Sequence, residues 1–313
     1  IAHGLVGSEM CIRDSPSTLV FMSIDLHIHS VNSDGTFSVE EIVNLSKELQ
    51  LEAISITDHE YLTEVPSDND IKIIKGIEVG ADWKELKSKN PFAGIHLLVY
   101  FLDRNTSLNA RLEEIRNKKK ERNYIILESL KKSGIDIEKS ELDLVKTKVP
   151  GRPHIAQIMV EKQYVSNVSE AFTKFLRNGV IPNIDTHQLD IEEIIQLSKE
   201  SKSLIFLAHP HTLMSSESYK KNQNWVTSEF LTYLKQIKMM GLSGLEVYYP
   251  GYNNSVKAQL IEICESLDLL ISGGSDFHGE NKPNNLLGIG YENNPIKVPL
   301  NLLSRMEEAY AKL

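Results

Sequence analysis

Short apolar runs alternate along this chain with longer stretches in which apolar positions recur at helical spacing. That alternation predicts an α/β fold built on a largely parallel sheet. Seven runs read as strands: 24–28, 53–57, 72–77, 95–101, 203–208, 244–247 and 269–272. Helical patterns lie between them at 39–49, 191–199, 228–239 and 256–267. In the first, Ile42, Leu45 and Leu49 share a face, and Ser38 before Glu41 has the form of a capping box. Residues 104–185 break the rhythm with four helical stretches, 108–131, 138–145, 153–162 and 168–177. We read them as an insertion after the fourth strand that packs over the mouth of the fold. The expected organisation is a leader, 1–21, a main body, 22–103 with 186–313, and the insertion, 104–185.

Composition narrows this without changing it. Apolar residues make up 41% and charged residues 25% of the 313, enough for a sizeable core. A net charge of −9 argues against a broad surface that grips long duplex nucleic acid by its phosphates. It leaves an anionic small molecule open, because bound cations reverse the local field in an acidic cleft. Cys11 and Cys264 are too few for a disulfide framework, and no apolar run reaches membrane-spanning length. A cytoplasmic protein without a membrane partner is expected. The stretch LVGSEMCIRDS at 5–15 looks like read-through of cloning or adapter DNA, so Met22 is taken as the native start. A natural but disordered tail is the alternative.

Polar residues of catalytic type gather at the strand ends. His27 and His29 close the first strand, and spacing by two puts both rings on one face. Asp34 follows in the loop; His59, Glu78, His96, His209, Asp276 and His278 flank later strands. One histidine at a strand end is ordinarily structural. Six histidines and three carboxylates at one end of the fold are different, since burying so many ionisable groups without a partner costs several kcal/mol each. Metal ions supply the compensation. The basic run 116–122, inside the first helix of the insertion, reads by default as a solvated helix face.

The series HIHSVNSDG, SITDHE, KGIEV, HLLVY, AHPH and GGSDFHG resembles the polymerase-and-histidinol-phosphatase (PHP) family in every motif and in order. That resemblance implies a distorted (β/α)7, TIM-like barrel and a metal-dependent phosphoesterase with two to three divalent metal ions. It places His27, His29, Glu78 and Asp276 on the first metal. Glu78, bridging, joins His96 and His209 on the second, and Asp34, His59 and His278 hold the third. Nitrogen and oxygen ligands without sulfur suit manganese, iron or zinc. The attacking group would be a metal-bridged hydroxide.

The insertion carries Gly151-Arg152-Pro153-His154, then AFTKFL and GVIPNI. These resemble the PHP branch that acts on nucleoside 3′,5′-bisphosphates and on the 5′ ends of short oligonucleotides, where Arg152 and His154 bind phosphate. The plain reading of Arg152 is a helix-start residue before Pro153. His211 is a candidate proton donor to the leaving group, or else orients His209. Glu246 and Tyr248 are expected to line the pocket. Relatives often carry a Tyr near Asn183 and a His near Tyr249 or Tyr252, so this chain departs there. A histidinol phosphatase would share the metal ligands. An amidohydrolase would commonly carry a bridging lysine on the fourth strand, and 95–102 contains none. A non-catalytic module would have lost ligands, and none is missing.

Overall fold

The computed structural model describes residues 23–68, 70–90, 93–177, 180, 185, 187–214 and 224–313. The leader 1–21, the start at Met22 and Asn183 lie outside the described residues. In chain order, β1 (Ser23–Ile28) leads into α1 (Val39–Glu48), and β2 (Leu51–Ile56) and β3 (Lys72–Ile73) follow. The capping box forms: the Ser38 amide donates to Glu41 Oε2 at 2.7 Å, and the Glu41 amide donates to Ser38 Oγ at 3.2 Å. Then come β4 (Gly76–Asp82), α2 (Lys84–Lys89) and β5 (Ile95–Tyr100).

The segment between β5 and the next strand contains α3 (Ser107–Lys132), α4 (Lys139–Asp143), α5 (Arg152–Glu161) and α6 (Val168–Ala171). The last runs on into a π-helical turn, Phe172–Leu176, where an unbroken α-helix was expected. Ile126, Leu130, Ile155, Met159 and Leu176 belong to an apolar cluster of its own. The chain returns through β6 (Leu189–Asp190), α7 (Ile191–Glu200), β7 (Leu204–Leu207), β8 (Gly244–Tyr248) and β9 (Leu270–Gly273).

β1, β2 and β3 make a parallel sheet; a second sheet has the order β6-β4-β5-β7-β8-β9. The expected strand at 72–77 is therefore two strands, because β3 pairs with β2 whereas β4 crosses to the second sheet. That sheet is parallel except for β5, which runs antiparallel to both β4 and β7. The reversal explains a feature of the sequence: His96 begins its strand, whereas most other candidate ligands end theirs, yet all meet at one end.

Isolated parallel bridges join the sheets at Ile28–Phe277 and at His59–Glu78. The approach of β1 to the end of β9 depends on Gly274, where a Cβ would come 2.3 Å from the His27 amide nitrogen. Asp25 fastens the same junction, accepting from the amides of Ser275 and Gly288, both at 2.8 Å. Among the described residues no helix is long and apolar enough to cross a membrane.

The basic run is not a solvated face throughout. Lys118 and Lys120 are exposed, but Arg122 is buried and Lys119 lies largely covered against Glu60. Residues 116, 119 and 122 recur at three-residue spacing, which puts them on one side of α3, and that side faces inward. Arg116 donates to the Glu60 carbonyl at 2.6 Å.

Candidate metal centre

Glu78, in the middle of β4 rather than at its end, is the hub of the site. Its Oε1 lies 2.8 Å from His96 Nδ1 and 2.9 Å from His209 Nε2. Its Oε2 lies 3.0 Å from His29 Nε2 and 3.3 Å from His27 Nε2 and from His59 Nδ1. Burial opposes charge on this carboxylate, but His59, His27 and His96 hold it well below its usual range. Asp276 Oδ1 sits 3.6 Å from His27 Nε2 and 3.5 Å from His29 Nε2. Asp34 Oδ1 lies 3.4 Å from His278 Nε2 and 3.6 Å from His29 Nδ1, and its Oδ2 lies 3.7 Å from His59 Nε2.

These separations fit metal coordination. Two ligands each about 2.1 Å from one ion, at a tetrahedral angle, stand about 3.4 Å apart. Asp34 Oδ1 is buried and makes no hydrogen bond, a costly state that a cation relieves. Burial, with His278 and His59 nearby, pushes His29 down to about 3, so at neutral pH its ring is an uncharged donor. Among the described residues, three groups of ligand atoms lie close enough to hold an ion: His29, Asp34, His59 and His278; His27, His29 and Glu78; and His59, Glu78 and His96. They overlap the three expected sets but share His29 and His59 more widely. Two of the candidate ligands carry left-handed backbone, His209 at φ 27° and Asp276 at φ 53°.

Other expected residues fall differently. Glu246 is fully buried, with Oε1 2.8 Å from His27 Nδ1, while its Oε2 accepts the His209 amide at 2.6 Å. It supports two candidate ligands from behind and has no surface left with which to line a pocket. Tyr248 is half-buried and packs against the main core. The rings of His211 and His209 are tilted at 59° to one another with centroids 6.1 Å apart, and Thr212 Oγ1 lies 3.4 Å from His209 Nδ1. His211 Nδ1 is 2.7 Å from the Tyr252 hydroxyl, and burial, then His209, pushes its pKa down to about 3.

Arg152 opens α5 with Pro153 in the first turn, as a helix-start residue would. Its guanidinium also donates to the Leu176 carbonyl at 3.2 Å, and burial lowers its pKa. Both ring nitrogens of His154 are in use. Nε2 donates to the Ser33 carbonyl at 2.8 Å, and Nδ1 accepts from the Gly151 amide at 3.2 Å. His154 therefore meets a phosphate only by breaking one of these bonds.

Sequence reasoning passed over two groups on Asp276. Lys282 Nζ lies 2.7 Å from Oδ2, and the Tyr249 hydroxyl donates to the same oxygen at 2.8 Å. The Tyr-rich stretch after β8 was a signal for Tyr249; a lone lysine beyond the last motif offered none.

A PHP domain model matches residues 25–247. The 5′-3′ exoribonuclease of Haemophilus influenzae is 25% identical over 264 residues, 81% of this chain and 89% of that protein. The phosphoribosyl 1,2-cyclic phosphate 1,2-diphosphodiesterase of Eggerthella lenta is 24% identical over 267 residues, 82% and 94% of the two chains. A solved structure from Bifidobacterium adolescentis, described as a metal-dependent phosphoesterase, superposes with a TM-score of 0.73 at 24% identity. The match covers 91% of this chain and 95% of that one, so the fold is shared. With the family model spanning well over half its length, this chain belongs to the PHP domain family and is a metal-dependent phosphoesterase.

Proposed function

We propose that this phosphoesterase hydrolyses a phosphate ester carried on a ribose, in a small nucleotide with a second phosphate or at the 5′ end of a short oligonucleotide. Glu78 among five histidines, with Lys119 of α3 paired to Glu60 beside His59, is the observation that carries this reading. Lys119 pairs with Glu60, the residue after His59, and Arg122 and Arg152 are near enough to influence Lys119. Burial and Arg152 together push Arg122 down to about 10. The Glu60 carboxylate offsets part of this gathering of cations, and a bound anion would offset more. Arg152 offers the fork that matches a phosphate, and Lys119 adds a compact charge. The exoribonuclease and the cyclic phosphodiesterase both take their phosphate on a ribose by their names, which supports the same class here.

The proposed fold is a distorted seven-stranded barrel, β1-β2-β4-β5-β7-β8-β9, supported by the bridges at Ile28–Phe277 and His59–Glu78. The segment 104–185 is its insertion domain. Two to three divalent ions, manganese, iron or zinc, are the proposed cofactors. When bound they supply a Lewis acid for the phosphoryl oxygens and bring water near neutral acidity. The chain's own residues do the rest. Glu246 keeps a proton on His27 Nδ1, leaving Nε2 to face the cluster. Tyr249 and Lys282 hold Asp276 through Oδ2, so that Oδ1 is presented. His211 is uncharged at neutral pH and serves the leaving oxygen as a hydrogen-bond donor. The alternative substrate is a ribose cyclic phosphodiester, which the Eggerthella relative favours.

A panel of phosphorylated metabolites assayed with Mn²⁺ tests the reading. Phosphate release should be fastest from nucleoside 3′,5′-bisphosphates or 5′-phosphorylated short RNA. Preference for histidinol phosphate or another non-nucleotide ester would refute it.

A further inference from the structure

The loop that presents Asp34 is fastened from two directions. On one side the Asp58 carboxylate accepts from the Ser30 amide at 2.8 Å, the Ser30 hydroxyl at 2.6 Å, the Ser33 hydroxyl at 2.5 Å and the Thr63 hydroxyl. On the other side the insertion takes the loop's outward carbonyls. The Thr147 hydroxyl lies 2.9 Å from the Asn32 carbonyl oxygen and 2.8 Å from that of Ser33. The Lys148 amide donates to Asn32 at 2.9 Å, and His154 Nε2 donates to Ser33 at 2.8 Å. Asp34, the next residue, has a buried Oδ1 with no hydrogen bond of its own. The backbone that carries this oxygen is held by these two sets of bonds and by the Asn281 side-chain amide, which donates to the Asp34 carbonyl at 2.8 Å, while His278 Nε2 and His29 Nδ1 face the oxygen itself at 3.4 and 3.6 Å.

The geometry points to a two-sided clamp in which the insertion, through Thr147, the Lys148 amide and His154, sets the occupancy of the metal position built from Asp34, His59 and His278. The inference rests on the metal reading proposed above. Thr147 and His154 hydrogen-bond to the loop's backbone carbonyls; they act through the loop and are positioning residues. His154 lies two residues beyond Arg152 at the start of α5. An anion drawn to Arg152 and a metal held by Asp34 thus bias one backbone connection, and such coupling works equally in both directions.

Thr147→Val deletes the hydroxyl at nearly constant shape, and Thr147→Ser retains it. Each chain is stripped, reloaded with Mn²⁺, and analysed for bound metal and site affinities. The unaltered chain and Thr147→Ser should hold three ions. Thr147→Val should keep two at unchanged affinity and bind the third about ten- to hundredfold more weakly. A third site as tight as in the unaltered chain, or equal weakening of all three, overturns the clamp. Hydrogen exchange on the unaltered chain gives the reciprocal measurement and needs no variant to fold. Adding the third equivalent of Mn²⁺ should slow exchange of the Lys148 amide, and an unchanged rate overturns the clamp as well. Fewer than three ions on the unaltered chain instead removes the three-metal reading, and the clamp with it.

Discussion

Glu246 Oε1 lies 2.8 Å from Nδ1 of His27, with both side chains fully buried on the far side of the imidazole from Glu78. A carboxylate in that place fixes the tautomer, so Nε2 is the nitrogen turned to Glu78 and Asp276. Its other oxygen holds the backbone of His209. Glu246→Gln keeps the volume but turns an amide N–H₂ toward either the His209 amide or His27. Metal affinity should fall about ten- to hundredfold, as it does when such supporting groups are altered. Chelator competition measures it, and unchanged affinity would show that Glu246 does not orient His27.

Glu78→Gln should disturb more than one metal at once, because its two oxygens face different histidines, His96 and His209 on one and His27, His29 and His59 on the other. Elemental analysis after Mn²⁺ reconstitution gives the stoichiometry. Loss of a single ion from this variant contradicts a bridging role.

Arg152→Ala removes a charge-assisted contact worth about 1.5–3 kcal/mol if the guanidinium holds phosphate. At about 1.4 kcal/mol per decade, kcat/KM should drop about ten- to hundredfold for a substrate with two phosphates. An aryl phosphate should suffer less if Arg152 holds the non-reacting group, and equally if it holds the reacting one. Unchanged kcat/KM for both substrates would leave Arg152 as a helix-start residue.

The metal-free protein should lose stability as pH rises above about 6.5, the ordinary histidine value. Burial opposes protonation of His27, His96 and His278, but neighbouring carboxylates prevail and raise all three. A raised histidine gives stability that is fully present below its unfolded pKa and disappears as pH climbs through its folded one. His29 and His211, both lowered to about 3, act in the opposite sense, but only below about 6.5. Bound metal competes with protons for these ligands, so the loaded protein should gain rather than lose over the rise. Thermal midpoints at pH 6.5 and 8.5, with EDTA and with Mn²⁺, decide it; the same trend in both forms would be wrong for this site.

Much of the fold was legible because a strand needs only a few consecutive apolar residues and a helix only a repeating stripe. The split of 72–77 was not, since Lys72–Ile73 and Gly76–Asp82 differ in the strand they pair with and not in composition. The burial of Arg122 was hidden for a similar reason. A charged residue looks solvated until the surface it packs against is known.

The sequence by itself determined the chemistry of the candidate centre. Six histidines and three carboxylates, placed beside apolar runs, are too many ionisable groups for a core and demand a charge partner. Tertiary structure alone decided which of them meet. β5 runs backward, so a residue at the start of one strand joins residues at the ends of others. Tertiary structure also turned Glu246 from an expected pocket wall into a support behind His27, and tied His154 to the Ser33 carbonyl. Both outcomes depend on hydrogen bonds between residues separated by 121 or more positions in the chain. Such a bond follows from packing geometry, which local patterns of hydrophobic and polar residues do not encode.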